Sequence, residues 1–302
     1  MTNAKFSALA AKKGFSACYF LPPTAVSTSY KKLIEDPRSV LPEARTVILL
    51  IKTYVPAYDS EACEAVISPY YSASHAAYKA AKELALFLSR MGYKALSNVQ
   101  VPLKKLMALY GIGSMGINSL IAIDGLGSAF HVQAIVTDAE FEFTHSQIQV
   151  IALASRCINC GRCMRACPTK AILPGAIIDP NRCLRAVSEM DIIPPEYEEK
   201  LHNRILGCDI CQSVCPANES LGRGDALCVS LKKLLEGDIE DLKQKIGPNY
   251  ARVNKLKKKA AVIAANTHRC DLLDDLKRMA SSPDASLSQA ALRAIERLEE
   301  NR

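Results

Sequence analysis

Residues 157–167 read Cys-Ile-Asn-Cys-Gly-Arg-Cys-Met-Arg-Ala-Cys and run into Pro168; residues 208–215 read Cys-Asp-Ile-Cys-Gln-Ser-Val-Cys and run into Pro216, with Cys183 standing between the two. The first run has the C-x2-C-x2-C-x3-C-P spacing of a [4Fe–4S] ligand loop, in which three cysteines serve one cluster and the fourth serves the other. A cysteine four positions on, held out of helix by the proline behind it, points away from the first three. Eight thiols therefore sort into two sets. Cys157, Cys160 and Cys163 are completed by Cys215, while Cys208 and Cys211 are joined by Cys167 and Cys183.

Two other uses of so many cysteines compete with this reading. Two zinc sites would need a similar number of thiols, but the x2-x2-x3 run ending in Cys-Pro is not zinc spacing. A disulfide framework suits short secreted chains, whereas this one has 302 residues and no signal-peptide profile at Met1-Thr2-Asn3-Ala4-Lys5. The remaining cysteines, Cys18, Cys63, Cys228 and Cys270, have no partner spacing and read as small core hydrophobes.

At 49% hydrophobic the chain can bury a substantial core, and its length suggests about two domains or slightly more. No run reaches the roughly 20 apolar residues of a membrane span. With oxygen-sensitive clusters, a cytoplasmic location and no membrane partner are expected. The net charge of +7 is mild. Part of it flanks the cysteines, at Arg162, Arg165, Lys170, Arg182, Arg185 and Arg204, where cations would favour the more reduced state of an anionic cluster.

Apolar periodicity predicts a helix over 3–13 stopped by Gly14, and a strand over 15–21 closed by Pro22-Pro23. Thr46 to Tyr54 is nearly all apolar and β-branched, the pattern of a strand covered on both faces. His75 to Met91 reads as an amphipathic helix with Tyr78, Ala81, Leu84, Ala85, Leu88 and Met91 inward, and 102–110 as a shorter one. Strands over 119–124 and 130–137 are joined by Gly125-Leu-Gly127, a hairpin signal. Helices are expected at 229–235, 252–266, 271–280 and 286–299; the second carries Lys255, Lys257, Lys258 and Lys259, which read as a solvated face or an anion-binding one.

These elements give a mixed α/β and α+β chain in three blocks. An α/β domain covers 1–148, a bacterial-ferredoxin-like two-cluster domain 149–222, and a short helical segment of HEAT-like character 223–302.

Several stretches, in order, resemble the epoxyqueuosine reductase family: Gly111-Ile-Gly-Ser-Met-Gly-Ile-Asn118, Gly127-Ser128, Ala134-Ile-Val-Thr-Asp138, the first cysteine run, Arg182-Cys183, and Asn203-Arg-Ile-Leu-Gly-Cys208 through Pro216. The reductive dehalogenases are a more distant likeness. The resemblance implies cobalamin beside two [4Fe–4S] clusters, removal of the epoxide oxygen of epoxyqueuosine in tRNA, and an external low-potential donor of ferredoxin or flavodoxin type. A monomer is expected. It also implies a cobalamin site at Gly111, Gly113, Gly116, Asn118 and Ser119, where backbone without Cβ could approach the corrin.

The chain departs from that family in places. Leu103, with Lys104 and Lys105 beside it, occupies the position of the family's acidic proton donor, and no Asp or Glu lies between Ala95 and Ile123. A general acid must reach the atom it protonates, and leucine cannot, so the catalytic residue is left open, with Tyr70, Tyr71, Tyr110 and His75 as candidate donors. Ile117 stands where the family has a lysine, and the C-terminal repeat region reads as shortened. The competing functions are an electron-transfer protein that reduces a partner's corrinoid, and a corrinoid-trafficking module. A two-cluster ferredoxin alone needs only about 60 residues, which favours the reductase.

Overall fold

The structure, a computed structural model, describes residues 1–56, 62–145, 157–190, 192–222 and 224–300, so the expected boundary at 148/149 lies outside the described residues. The elements are, in order, α1 (Asn3–Lys12), β1 (Ala17–Leu21), β2 (Thr46–Thr53), β3 (Ala65–Ile67), α2 (Pro69–Arg90), β4 (Ala95–Ser97), α3 (Leu103–Leu109), β5 (Ser114–Met115), β6 (Ile121–Ala122) and β7 (Phe130–Thr137). Then come α4 (Arg162–Ala166), β8 (Ile172–Leu173), β9 (Ile177–Ile178), α5 (Leu184–Val187), α6 (Pro195–Glu198), β10 (Arg204–Leu206), α7 (Ile210–Ser213) and β11 (Leu227–Val229). Five helices close the chain: α8 (Leu231–Glu236), α9 (Glu240–Ile246), α10 (Val253–Asn266), α11 (Leu273–Ala280) and α12 (Ala285–Glu300). Two compact units result: 1–54 with 73–160 and 217–221, and 55–72 with 161–216 and 222–302.

The first unit is built on a sheet of order β1-β2-β7-β4 in which every neighbour is antiparallel. The α+β half of the expectation therefore describes this unit. β2 behaves as its unbroken apolar run requires: Ile48 and Leu50 enter one core with α1 and α2, while Val47, Leu49 and Ile51 enter a second core on the other face with α3. The expected inward face of α2 is turned slightly. Ala77 and Ala80 are buried with Ala81, Leu84 and Leu88, whereas Tyr78 and Met91 are each about half exposed, because small side chains let the helix lie close to the sheet.

The hairpin expected at Gly125-Leu-Gly127 is not the one that forms. Phe130–Thr137 pairs along its whole length with β2, from Thr53↔Phe130 to Thr46↔Thr137, and the local turn keeps only the single bridge Ile123↔Gly127. The hairpin lies earlier, β5 with β6, Ser114↔Ala122 and Met115↔Ile121. Eight non-local pairs on a strand buried on both faces outweigh a two-glycine turn signal.

The second unit has a sheet of order β10-β3-β11 covered by the helices α8 to α12. Ala260, Ala261, Ala264 and Ala265 let α10 pack closely between α8 and α12. Glu198, at the end of α6, is buried, and its carboxylate accepts from Arg293 Nε (3.1 Å) and Arg297 Nη1 (3.3 Å) of α12. Two guanidinium partners make a buried carboxylate tolerable, and removing either would leave it under-compensated.

Two of the leftover cysteines are not plain core residues. Cys63 and Cys228 form a disulfide with a Cα–Cα separation of 5.3 Å, well inside the range such a bond spans. The antiparallel pairing of β11 with β3 (Cys228↔Val66) brings the two together. Cys18 and Cys270 keep the expected role, each packed against a core.

Candidate iron–sulfur and cofactor site

The seven cysteines of the two runs, and Cys183 as the eighth, are not disulfide-bonded. In the first run Gly161, left-handed at φ 69°, turns the chain into the single turn α4, which buries Cys163. Cys167 then leaves the helix in extended geometry, at φ −68° and ψ 112°, as a residue before proline must. Burial would raise the Cys167 thiol, but hydrogen bonds from Thr169 Oγ1 and from the N–H groups of Thr169, Ala171 and Ile172 outweigh it and lower the pKa. The fold thus supplies donors to this sulfur in its thiolate form, the form that binds iron.

In the second run, Cys208 and Cys211 flank the start of α7. Burial pushes the Cys208 thiol up to about 11, opposed by the Ile210 N–H and by Arg204. Burial also pushes Cys211 up, followed in order by the fields of Cys208, Cys183, Asp209 and Cys163. Cys183 is therefore a spatial neighbour of Cys208 and Cys211, although it stands 25 residues before the nearer of them in the sequence. Buried thiols that oppose one another's ionisation are stable as thiolates only around a cationic core, which ferric and ferrous iron provide. Asp209 is itself fixed: its carboxylate accepts from Ser68 Oγ at 2.6 Å and from Gln212 Nε2 at 3.2 Å.

Among the described residues, no three His, Cys, Asp or Glu side chains form a ready-made single-ion site. The fit to clusters rests on the number, spacing and surroundings of the thiols. Of the flanking cations, Arg204 acts on Cys208, Arg165 reaches back beside Gly161, and Arg185 lies 4.0 Å above the Tyr70 ring.

The glycine-rich stretch is the β5–β6 hairpin of the first unit. Its tip is 116–119: Ser119 N donates to Gly116 O (2.8 Å), Asn118 Oδ1 accepts from Leu120 N (3.2 Å), and Ser119 takes a positive φ of 59°. Gly111 and Gly113 lead into it with φ of 71° and 81°. A Cβ at Gly113 would meet Ala122 O and, at 2.7 Å, Ile121 Cγ2; one at Gly116 would meet Asn118 Oδ1 at 2.8 Å. At these two positions the missing side chains let the hairpin close on itself, so the neighbouring chain already fills the space. What the hairpin offers a ligand is Ser114, whose hydroxyl is buried without a hydrogen-bond partner. The sequence quoted Ser114 inside its motif without assigning it, because its orphaned state depends on β6.

The region around Leu103 is arranged differently from an acid catalyst. Leu103 opens α3; Lys104 Nζ donates to Ser119 O (2.8 Å) at the hairpin tip and Lys105 Nζ to Ser27 O (2.9 Å). Tyr110 is buried with its hydroxyl on Thr24 Oγ1. Tyr71 is buried too, its hydroxyl 3.5 Å from Glu189 Oε1, and burial raises its pKa. Tyr70 stacks under Arg185, and the pKa of His75 is lowered, first by burial and then by Lys79.

An α+β unit and eight cysteines in two-cluster spacing define the class, a mixed α and β protein with an iron–sulfur binding segment. A family profile described as a 4Fe-4S double cluster binding domain matches residues 156–218. The chain is similar to curated epoxyqueuosine reductases. It is 28% identical to that of Cellulophaga algicola over 193 residues, 61% of each chain, and 30% identical to that of Leadbetterella byssophila over 61% of this chain and 62% of the relative. These matches span about three fifths of the relatives' length. The epoxyqueuosine reductase of Streptococcus thermophilus has the same fold, with a TM-score of 0.78 at 19% identity over 98% of this chain and 90% of that one. An epoxyqueuosine reductase solved with a tRNA-Tyr stem loop matches at 0.76 and 19%, covering 98% and 89%. A reductive dehalogenase described as B12-dependent matches at 0.50 and 18%, covering 86% and 35%. No described helix is long and apolar enough to cross a membrane.

Proposed function

We propose that this chain is a cobalamin- and iron–sulfur-dependent reductase that converts epoxyqueuosine to queuosine in tRNA, or acts on a closely related substrate. The observation that carries this reading is a double-cluster family match over eight cysteines of two-cluster spacing, in a chain similar to epoxyqueuosine reductases in sequence and fold. Cys157, Cys160, Cys163 and Cys215 would hold one [4Fe–4S] cluster, and Cys167, Cys183, Cys208 and Cys211 the other. When bound, the clusters supply one-electron transfer and cobalamin a strongly reducing cobalt centre.

The chain's own part is to hold and orient. The β5–β6 hairpin, with Gly111, Gly113, Gly116, Asn118 and Ser119, would form one wall of the cobalamin site, with Ser114 Oγ as its unpaired polar group. Lys104 braces that wall through Ser119 O. The helices after residue 230 are read as HEAT-like, an external ferredoxin or flavodoxin as the donor, and the working state as a cytoplasmic monomer. Without an acid at position 103, the proton must come from another group or from water.

That missing acid favours a second reading, an electron carrier without substrate chemistry. One preparation separates the two. Anaerobically purified protein is assayed for iron and sulfide, mixed with cob(II)alamin and a chemical reductant, and given epoxyqueuosine-containing stem loop. Corrinoid uptake with formation of queuosine supports the reductase. Eight irons without corrinoid uptake would establish the carrier.

A further inference from the structure

The Cys63–Cys228 disulfide has one shielded end and one open one. β11 is an edge strand of its sheet, and Cys228 on it is exposed, whereas Cys63 is only 7% exposed. Cys228 also stands in the wall of a cavity of about 150 Å³ bounded by β11, α8 and α9, which opens to solvent. A cavity of that volume accepts a benzene-sized group. Leu234 and Leu242 make its lining partly apolar, and charges of both signs complete it: Lys233 and Lys245 against Asp238 and Asp241. Lys233 Nζ lies 3.7 Å from Asp238 Oδ2. The strands that the disulfide joins are also held without it. Three registered pairs link β11 to β3, and Glu64 Oε2, next to Cys63, accepts from Leu231 N at 2.8 Å at the start of α8. Glu64 Oε1 lies 2.8 Å from Arg269 Nη1. Opening the bond therefore leaves its surroundings tied together.

We propose that this cavity seats a small zwitterionic thiol, of the amino-acid type, which exchanges with the Cys63–Cys228 disulfide by attack on Cys228. Exposed disulfides are the exchanging kind, and access decides which sulfur is attacked. The ligand class follows from the lining: an apolar cavity of small volume takes the thiol arm, and a group carrying both ammonium and carboxylate meets aspartate and lysine at once. The incoming thiolate bonds to Cys228 Sγ and breaks the Cys63–Cys228 bond. The electron pair leaves on Cys63 Sγ, which takes up the proton that the attacking thiol lost. A second thiolate attacks the small thiol's sulfur in the mixed disulfide, and Cys228 leaves as a thiolate that is protonated in turn. Two small thiols are thereby oxidised to their disulfide and the protein disulfide is reduced, with no other reactant. None of this depends on the reductase reading above.

The test uses the full chain, prepared anaerobically and desalted free of thiols, with reduced glutathione and uncharged mercaptoethanol as probes. Free thiols are blocked at timed intervals and the peptides mapped by mass. Each rate is scaled to that thiol's rate on a small neutral disulfide, hydroxyethyl disulfide. Glutathione should open the bond about fivefold faster than mercaptoethanol, as one or two exposed charge contacts allow. Lys245→Glu should slow glutathione about threefold and leave mercaptoethanol unchanged, which also shows that the variant is folded. The transient adduct should map to Cys228. Cys63→Ser, offered oxidised glutathione, should keep one glutathione on Cys228, because no internal thiol remains to expel it. Equal scaled rates for the two thiols, an adduct on Cys63, or a glutathione rate unmoved by Lys245→Glu overturns the proposal. A thioredoxin-type dithiol protein that opens the bond while glutathione shows no advantage would give the exchange to a protein partner, and the seat would fall with it.

Discussion

Gly127, Ser128 and Asn218 form a buried clamp within the first unit, and its energetics can be worked out bond by bond. Asn218 Oδ1 accepts from Ser128 N at 2.7 Å, and Asn218 Nδ2 donates to Ser128 Oγ at 3.1 Å; both residues are less than one-tenth exposed. Asn218→Ala strands the Ser128 N–H in a buried place, at a cost of about 2 kcal/mol. Gly127 has φ +67°, and a Cβ there would run into Asn218 Oδ1 and lie 2.8 Å from Ala217 O. Gly127→Ala therefore costs about 1–2 kcal/mol for the left-handed backbone plus the same 2 kcal/mol or so as Asn218 is displaced. In the double variant that second loss is counted once, so the effects should fall short of additivity by about 2 kcal/mol. Hydrogen exchange reads this locally. In Asn218→Ala the Ser128 amide should exchange about 30-fold faster, the equivalent of that 2 kcal/mol. Iron retention should fall as well, since Asn218 anchors the chain three residues beyond Cys215. Unchanged Ser128 exchange, or effects that add to within about 0.5 kcal/mol, would refute the clamp.

Three further outcomes are expected. Cys183→Ser should cut iron from about eight to about four per chain and remove one of two reduced-cluster EPR signals; two undisturbed signals would detach Cys183 from the ligand set. Peptide mapping without reductant should recover a Cys63–Cys228 crosslink, and reducing it should destabilise the cluster-free chain by up to about 5 kcal/mol in urea, the loop entropy for a separation of 165 residues. Lys259, depressed to about 8 chiefly by burial, binds its proton less tightly folded than unfolded. The unfolded chain holds the extra proton between pH 8 and 10.5, so stability is lowest below pH 8 and gains up to about 3 kcal/mol as pH rises through that window. Subtracting the urea curves of Lys259→Met from those of wild type isolates this gain, and a flat difference would contradict the burial of a charged lysine.

What could be read from the sequence follows the range of the interaction. The ligand spacing of 157–167 and 208–215 is local, set by which residues a short loop can aim at one cube, and it survives any arrangement of the rest. β2 was legible for a similar reason: six buried residues in a row leave no face for water. The Cys63–Cys228 pair was not legible, since only the register of β3 with β11 makes the two meet. The misplaced hairpin has the same origin. Gly125-Leu-Gly127 carries a good local turn signal, but β7 found a longer partner in β2, and pairing at a distance leaves no mark near the turn.

The same division separates the two ends of the proposed reaction. The cluster end, as proposed, draws mostly on thiols in two short runs whose spacing is a local property, while Cys183, alone in the sequence, comes near Cys208 and Cys211 only through the fold. The substrate end depends on which polar atoms are left over after packing. Ser114 and Lys259 are in that class: an ordinary serine in a glycine-rich turn and one lysine of a run, distinguished only because β6 buries the first and the packing of α12 on α10 encloses the second. Lys255 and Lys259 share a helix face by their spacing of four, but nothing in that spacing says whether the face meets water or another helix. An unsatisfied buried donor is a property of the assembled fold, legible only once the elements around it have packed.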